Sequence, residues 1–358
     1  MFNTKDFEED KQSERKLYHS VVSLFSSVMV LLGIATLVVG DSPIVPYNKT
    51  ETLSVDLSDV WMPLCMPTVG KIPMLMFLPN FGDRKKTDIP VEEIPENALP
   101  VVSLTLKPPA SMDGAEGVYI NNEAKKDIEI RKLLDYEDSV DLRADDSVQV
   151  LIYHTHGSEG YNNEGLSYYG DEFYDVHTDN MSENVVHIGQ IVTEKLRAKG
   201  IGVVHDTVMY DLDGYNDAYS RSCSGALSFL KLYPNIKLVL DIHRDTIVLN
   251  DGSKYRPVTE YRNKEAAQMM ILVGTGKASA PNDHWMENLS VAVKLQREAE
   301  KLCENIMRPI LLRNSGYNQH ISNGAILVEM GTCGNSLKEA ELAAEVLSSA
   351  IIKAFVSE

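Results

Sequence analysis

The stretch Leu151-Ile152-Tyr153-His154-Thr155-His156-Gly157-Ser158-Glu159 runs an apolar strand straight into two histidines and a carboxylate. Imidazole and carboxylate are the donors of a catalytic zinc site, which takes three protein ligands and leaves a fourth position for water. His156 and Glu159, with two residues between them, supply two such donors, and a third must come from elsewhere. If the strand stays extended to its end, alternation puts Val148, Val150, Ile152, His154 and His156 on one face. Either histidine is then a candidate ligand. A single histidine at a strand end is more often a hydrogen-bonded structural group, but two followed by Glu159 shift the balance toward chemistry.

Outward from this stretch, strands and helices alternate. Strands are expected at residues 118–120, 148–154, 201–205, 236–242, 269–273, 310–313 and 325–329. Helices are expected at 127–136, 183–199 (behind Ser182 and stopped by Gly200), 216–232, 284–307 and 337–355. Such alternation predicts an α/β fold, a mainly parallel sheet with helices on both faces. In that architecture ligands collect beyond the carboxyl ends of the strands.

Two further strands end in polar groups. Leu238-Val239-Leu240-Asp241-Ile242-His243-Arg244-Asp245 brings His243 to a strand end, where it is the best third ligand. The bland alternative is a core histidine capped by Asp241 or Asp245. Arg244 offers either a grip on a substrate carboxylate or polarisation of a carbonyl, and Asp245 a hold on Arg244 or His243. Ala325-Ile326-Leu327-Val328-Glu329-Met330-Gly331 ends in one carboxylate, Glu329. Beside an activated water it would serve as general base and then pass the proton to a leaving amine. Its bland alternative is a rim carboxylate in an ion pair.

Other chemistries fit less well. The chain has no HExxH, and Gly160 follows Glu159 where the inverted helical zinc motif needs histidine. Neither a Walker loop nor a dinucleotide fingerprint occurs. Ser158 lacks the G-x-S-x-G elbow of a serine hydrolase.

The chain has 358 residues, with 52 acidic against 34 basic side chains and a net charge of -18. That balance argues against nucleic acid as a partner. Residues 17–40 contain no Asp, Glu, Lys or Arg, longer than the roughly 20 residues that span a bilayer. Lys11, Arg15 and Lys16 precede them and Asp41 follows, so the amino terminus is expected in the cytoplasm and the remainder outside. An uncleaved anchor is preferred to a signal peptide, whose apolar core is shorter. Eleven of the 15 prolines lie between Ser42 and Pro109, which predicts an extended spacer. The expected organisation is a cytoplasmic tail 1–16, a transmembrane helix 17–40, a Pro-rich spacer 41–116 and a hydrolase domain 117–358. The 4 cysteines are too dispersed for a metal pair or a disulfide scaffold.

From about Gly117 to Glu358 the chain resembles the stage II sporulation protein P family. The resemblance rests on Leu151 to His156 with Glu159 and Tyr161, on Asp241-Ile242-His243-Arg244-Asp245, and on Tyr317-Asn318-Gln319-His320 leading to Val328-Glu329-Met330-Gly331 and Asn335. It implies a zinc-dependent wall hydrolase of the N-acetylmuramoyl-L-alanine amidase kind, with a zinc amidase or carboxypeptidase-like fold. Peptidoglycan is the implied substrate, cut between the lactyl group and the stem peptide, and the family is credited with cross-link endopeptidase activity as well. It further implies work at the engulfing membrane of a sporulating cell, beside the lytic transglycosylase stage II sporulation protein D. Under this resemblance Zn2+ is held by His156, Glu159 and His243, with His154 and Glu183 as alternatives. Glu183 enters because related amidases take their ligand glutamate from the start of the helix after the first strand. Glu329 and Arg244 are the catalytic residues, and Asn318, His320 and Asn335 line the substrate groove. Tyr168, Tyr169, Tyr174 and the acidic groups of 171–179 are candidates for a lid. A peptidase confined to stem peptides and a non-catalytic wall-binding scaffold are the rival readings.

Overall fold

A sheet of eight strands carries the molecule, and its central members Leu238–Asp245 and Ala325–Thr332 are buried along their whole length because both faces are covered. In spatial order these are β2 (Gly114–Ala115), β3 (Val118–Asn122), β13 (Ile310–Arg313), β10 (Met269–Gly274), β14 (Ala325–Thr332), β7 (Leu238–Asp245), β4 (Val148–Tyr153) and β6 (Gly202–His205). The computed structural model describes residues 98–357 apart from 138, 146, 163–165, 170–175 and 278–279. The tail 1–16, the apolar segment 17–40 and most of the spacer lie outside the described residues. Among the described residues no helix is long and apolar enough to cross a membrane.

The sheet is mixed. Pairings β14–β7, β7–β4 and β4–β6 are parallel, as are β10–β13 and β13–β3, but β10 runs antiparallel to β14. The sheet therefore consists of two parallel blocks of opposite direction joined at the β10–β14 seam, with the two-residue β2 antiparallel to β3 at one edge. The expected parallel character holds within each block.

Period-two alternation sorts the central strands cleanly. One face presents Val150, Ile152, Leu240, Ile242, Val328, Ile271 and Val273 to the main core. Covering it are α2 (Val185–Arg197), α4 (Trp285–Leu302) and α5 (Leu337–Phe355), with the short α1 (Ile130–Leu134) against α4. The other face carries Leu151, Tyr153 and Val239, on which α3 (Ala218–Leu232) packs through Ala226 and Phe229.

Strand and helix positions match the sequence expectation closely, with β13 and α5 spanning the same residues. The α2 helix starts later than expected: its N-cap is Asn184, whose side chain accepts from the Val186 amide, not Ser182. Gly200 adopts a φ of 77°, the left-handed conformation that ends the segment. On α5, Ser336 and Glu339 form a reciprocal capping box.

A second sheet was not legible in the sequence: β5 (Tyr168–Tyr169), β1 (Leu99–Leu104), β8 (Lys254–Tyr261) and β9 (Lys264–Ala267). A hairpin of β11 (Gly276–Lys277) and β12 (Ala280–Pro281) completes the strands. β1 pairs in parallel with β8 from Val101↔Lys254 to Leu104↔Pro257. Residues 99–104, expected in the spacer, thus form a strand of this sheet. Proline density misled here: Pro100 lies within β1 near its start, while Pro108 and Pro109 lie beyond it. Tyr168 and Tyr169 also belong to this sheet. Tyr169 is 1% exposed and its hydroxyl donates to the Gly252 carbonyl, so it is no part of a lid; Asp171 and Tyr174 lie outside the described residues.

Ile242, fully buried at the centre of the main core, is the test of this packing. Ile242→Ala is expected to destabilise the protein by about 2–5 kcal/mol in urea unfolding. A loss well below that range would contradict the packing described.

Candidate active site

Parallel pairing of β14 with β7 sets Glu329 directly opposite His243 and Leu327 opposite Asp241. Directly opposite residues share a face, so the carboxylate and the imidazole project to the same side. That side is the one covered by α3.

His243 lies between two carboxylates. Its Nε2 is 2.9 Å from Asp241 Oδ1, off the ideal line of a hydrogen bond, and its Nδ1 is 3.4 Å from Glu159 Oε2. Burial disfavours the charged ring, but Asp241 and Glu159 outweigh it and raise His243 well above its ordinary range. Burial likewise opposes ionised Glu159, yet His243, Arg244 and His156 bring its carboxyl down to about 2. His156 is lowered, chiefly by burial, and its Nδ1 has no hydrogen-bond partner. The two histidine rings stand 5.4 Å apart at 77°. Glu329 is pushed well above the carboxylate range, first by burial and then by the Asp245 carboxylate, against the pull of His243 and Arg308. Its Oε2 also lacks a partner.

The two histidines of the opening motif part company. The strand ends at Tyr153 and residues 155–158 form a turn, so alternation does not continue to His156. His154 is fully buried, bonded through Nδ1 to the Ile242 carbonyl and through Nε2 to His205 Nε2, each at 2.9 Å. Burial brings His154 to about 4 and His205 to about 3. Gly189 of α2 makes room for the pair, since a Cβ there would lie 2.7 Å from both rings. His154 is therefore spent on hydrogen bonds, and Glu183 is exposed on the turn before α2. The turn itself is pinned by Asp241, which accepts from the Thr155 amide at 2.8 Å and its hydroxyl at 2.6 Å.

Arg244 requires a correction. Its guanidinium donates to the carbonyls of Gly160 (2.8 Å) and Val176 (2.6 Å) and to Thr246 Oγ1 (2.8 Å), and it is 2% exposed. Its backbone amide donates to Glu159 Oε2 at 2.9 Å. Arg244 thus holds the Glu159 loop instead of reaching for substrate. Asp245 pairs with the buried Arg308 at 2.7 Å, a partner with no signal in the sequence.

The expected groove residues disperse. Asn335 is fully buried, bonded to the Thr332 amide, the Pro257 carbonyl and Glu339, where it organises the turn into α5. Asn318, at a φ of 55°, donates to the Tyr219 carbonyl at 2.8 Å and to Ser222 Oγ at 3.1 Å. His320 is exposed. Ser158 donates to Asp211 at 2.5 Å and lies 2.8 Å from His177 Nδ1, a link between loops and not a nucleophile poised on a base.

Sequence reasoning missed the aromatic wall. Tyr215, 48% exposed, stacks on His156 at 3.9 Å and 12°. Tyr219 stands edge-on to His156 at 5.5 Å, parallel to His243 at 6.5 Å and against Tyr317 at 6.1 Å. Tyr219 lies in the first turn of α3 and Tyr215 in the loop just before it, and neither carries a motif that marks it in the sequence.

Among the described residues no three His, Cys, Asp or Glu groups converge as a formed metal cluster. The donor chemistry nevertheless suits zinc. Two ligands of one tetrahedral zinc, at ~2.1 Å each, stand about 3.4 Å apart. That is the separation of His243 Nδ1 and Glu159 Oε2. Asp241 at the other nitrogen of His243 would orient the imidazole if it held a metal. His156, with an unpartnered ring nitrogen beside them, would be the third donor.

Fold and site define a mixed α/β protein with a buried histidine–carboxylate centre at strand ends. The family model for stage II sporulation protein P matches residues 102–352, and the chain belongs to that family. It is 26% identical over 210 residues to the stage II sporulation protein P of Bacillus subtilis (strain 168), a match covering 56% of this chain and 49% of that one. The chain thus spans about half the length of this curated relative. Among solved structures it is similar to the N-acetylmuramoyl-L-alanine amidase AmiC2 of Nostoc punctiforme, at 15% identity and a TM-score of 0.36, covering 57% of this chain and 96% of that one. A second is the N-acetylmuramyl-L-alanine amidase Ami1 of Mycobacterium smegmatis, at 11% identity and a TM-score of 0.35, covering 58% and 97%. Both structural likenesses are slight.

The Gly160 amide donates to the same Val176 carbonyl that Arg244 holds. In Arg244→Ala, hydrogen exchange at the Glu159 and Gly160 amides is expected to quicken at least about tenfold. Unchanged exchange would mean that the loop does not depend on the guanidinium.

Proposed function

We propose that this chain is a zinc-dependent peptidoglycan hydrolase that cleaves the amide between the lactyl group of N-acetylmuramic acid and L-alanine, and also peptide cross-links, during forespore engulfment. What carries the reading is the meeting of His156, Glu159 and His243 with Glu329 at the ends of β4, β7 and β14. Membership of the sporulation family supports it.

Zinc held by His156, Glu159 and His243 would supply a Lewis acid that activates water and polarises the amide carbonyl. Asp241, 2.9 Å from His243 Nε2, favours a proton on that nitrogen and so leaves Nδ1 free for the metal. Glu329 takes a proton from the attacking water at Oε2. Burial beside Asp245 gives that carboxylate the raised proton affinity a general base needs. As the carbon–nitrogen bond breaks, Glu329 returns the proton to the alanine nitrogen, releasing a lactyl carboxylate and a free stem peptide. Arg244 keeps Glu159 in place through its backbone amide and its grip on the loop.

In the same reading, segment 17–40 anchors the chain with its amino terminus in the cytoplasm and the catalytic domain facing the wall. The lytic transglycosylase stage II sporulation protein D is the proposed partner, cutting glycan while this chain removes peptides.

Mass spectrometry of purified peptidoglycan digested with the full chain is expected to show stem peptides with free alanine amino termini. A chelator should abolish their release, and Glu329→Gln should lower it by about 10²–10⁴-fold. Release undiminished by either treatment would overturn the assignment, and products cut only within the stem peptide would make the chain a peptidase. For the anchor, full-length chain should fractionate with membranes, its catalytic domain open to protease added from outside the cell; a soluble chain would refute it.

A further inference from the structure

Amide hydrolysis needs a donor aimed at the carbonyl oxygen where charge develops, besides ligands and base. The cationic candidates beside the cluster are committed elsewhere. Arg244 is spent on the Gly160 and Val176 carbonyls, and Arg308 is paired with Asp245 at 1% exposure. Tyr219 differs from both, because it is only partly buried and faces the ligand histidines.

Three aromatic contacts fix its ring: parallel to His243 at 6.5 Å, edge-on to His156 at 5.5 Å, and tilted against Tyr317 at 6.1 Å. Its backbone is held too. Asn318 Nδ2 donates to the Tyr219 carbonyl at 2.8 Å from a residue in the left-handed conformation. Ser222 Oγ lies 3.3 Å from that carbonyl and 2.9 Å from Thr155 Oγ1, whose own proton goes to Asp241. The backbone of Tyr219 is therefore linked, through Ser222 and Thr155, to the carboxylate beside His243.

The Tyr219 hydroxyl makes no hydrogen bond among the described residues, whereas those of Tyr161, Tyr169 and Tyr210 donate to Met330, Gly252 and Asp206. Unlike those, the hydroxyl of the partly buried Tyr219 is open to a bound ligand. A phenol is protonated at neutral pH, so this unspent group is a donor. Its ring stands beside both His156 and His243.

We propose that Tyr219 is a catalytic residue that donates a hydrogen bond to the scissile carbonyl oxygen as that oxygen gains charge, with Asn318 as its positioning residue. The proposal rests on the hydrolase reading above. No proton is transferred by Tyr219; its role is stronger binding of the transition state than of the planar amide.

The test is Tyr219→Phe in the full zinc-loaded chain, which removes one oxygen and keeps the ring contacts. On a soluble muropeptide kcat is expected to fall about 10²-fold, with KM changed less than about twofold. Affinity for a phosphinate analogue of the muramoyl–alanine bond, measured by calorimetry, should fall by a similar factor. Affinity for the product stem peptide and zinc content by elemental analysis should stay at the wild-type level. Wild-type kcat in the variant, equal losses of phosphinate and stem-peptide affinity, or loss of zinc would each overturn the role. A wild-type chain that releases no stem peptide overturns the hydrolase reading itself, an outcome distinct from an active wild type with an equally active variant.

Discussion

The imidazole of His243, held between Asp241 and Glu159, is the constraint on which the rest of the site depends. A buried ring with a carboxylate at each nitrogen has only a narrow choice of orientations. Asp241 extends that restraint to the turn after β4 through Thr155, and so to His156. Glu159 extends it to the backbone of Arg244, whose side chain returns to the loop carrying Glu159. Burial makes these links strong, since an unpaired charge would be far more costly here than at the surface.

The sheet exists in a form that brings such groups together. Three neighbouring parallel strands, β4, β7 and β14, finish at one edge, and alternation delivers Asp241, His243 and Glu329 to the same face. The large core lies on the opposite face, under α2, α4 and α5. Stability and chemistry are thus divided between the two sides of the same strands. Ile242 anchors one side and its neighbour His243 serves the other.

Much of this was legible in residue patterns. Apolar runs with strand or helix period located the main elements, and their polar ends named His156, Glu159, His243 and Glu329. Less visible were features that depend on distant packing. The second sheet uses strands without a strong apolar signature, one of them within a proline-rich stretch, so β1 was taken for spacer. Arg244 carried the right chemistry for substrate, but Gly160 and Val176, brought close by folding, claim its donors first. Asn335 was singled out by motif and turned out to stabilise a turn. Tyr219 had no motif at all, and only ring geometry and an unpaired hydroxyl brought it forward.

By itself the sequence determined the alternating α/β order, the membership of the family, and which strands end in chemically able residues. These are local properties, set by hydrophobic period and by side-chain type. The tertiary structure decided which able residues meet: it turned His154 inward to His205, left Glu183 in solvent, and drew Tyr219 over His243. Orientation at a strand end depends on where the strand stops and what lies beyond it. The opening motif shows this most plainly, because the chain leaves the strand at Tyr153 and so sends two histidines two residues apart to different sides of the sheet.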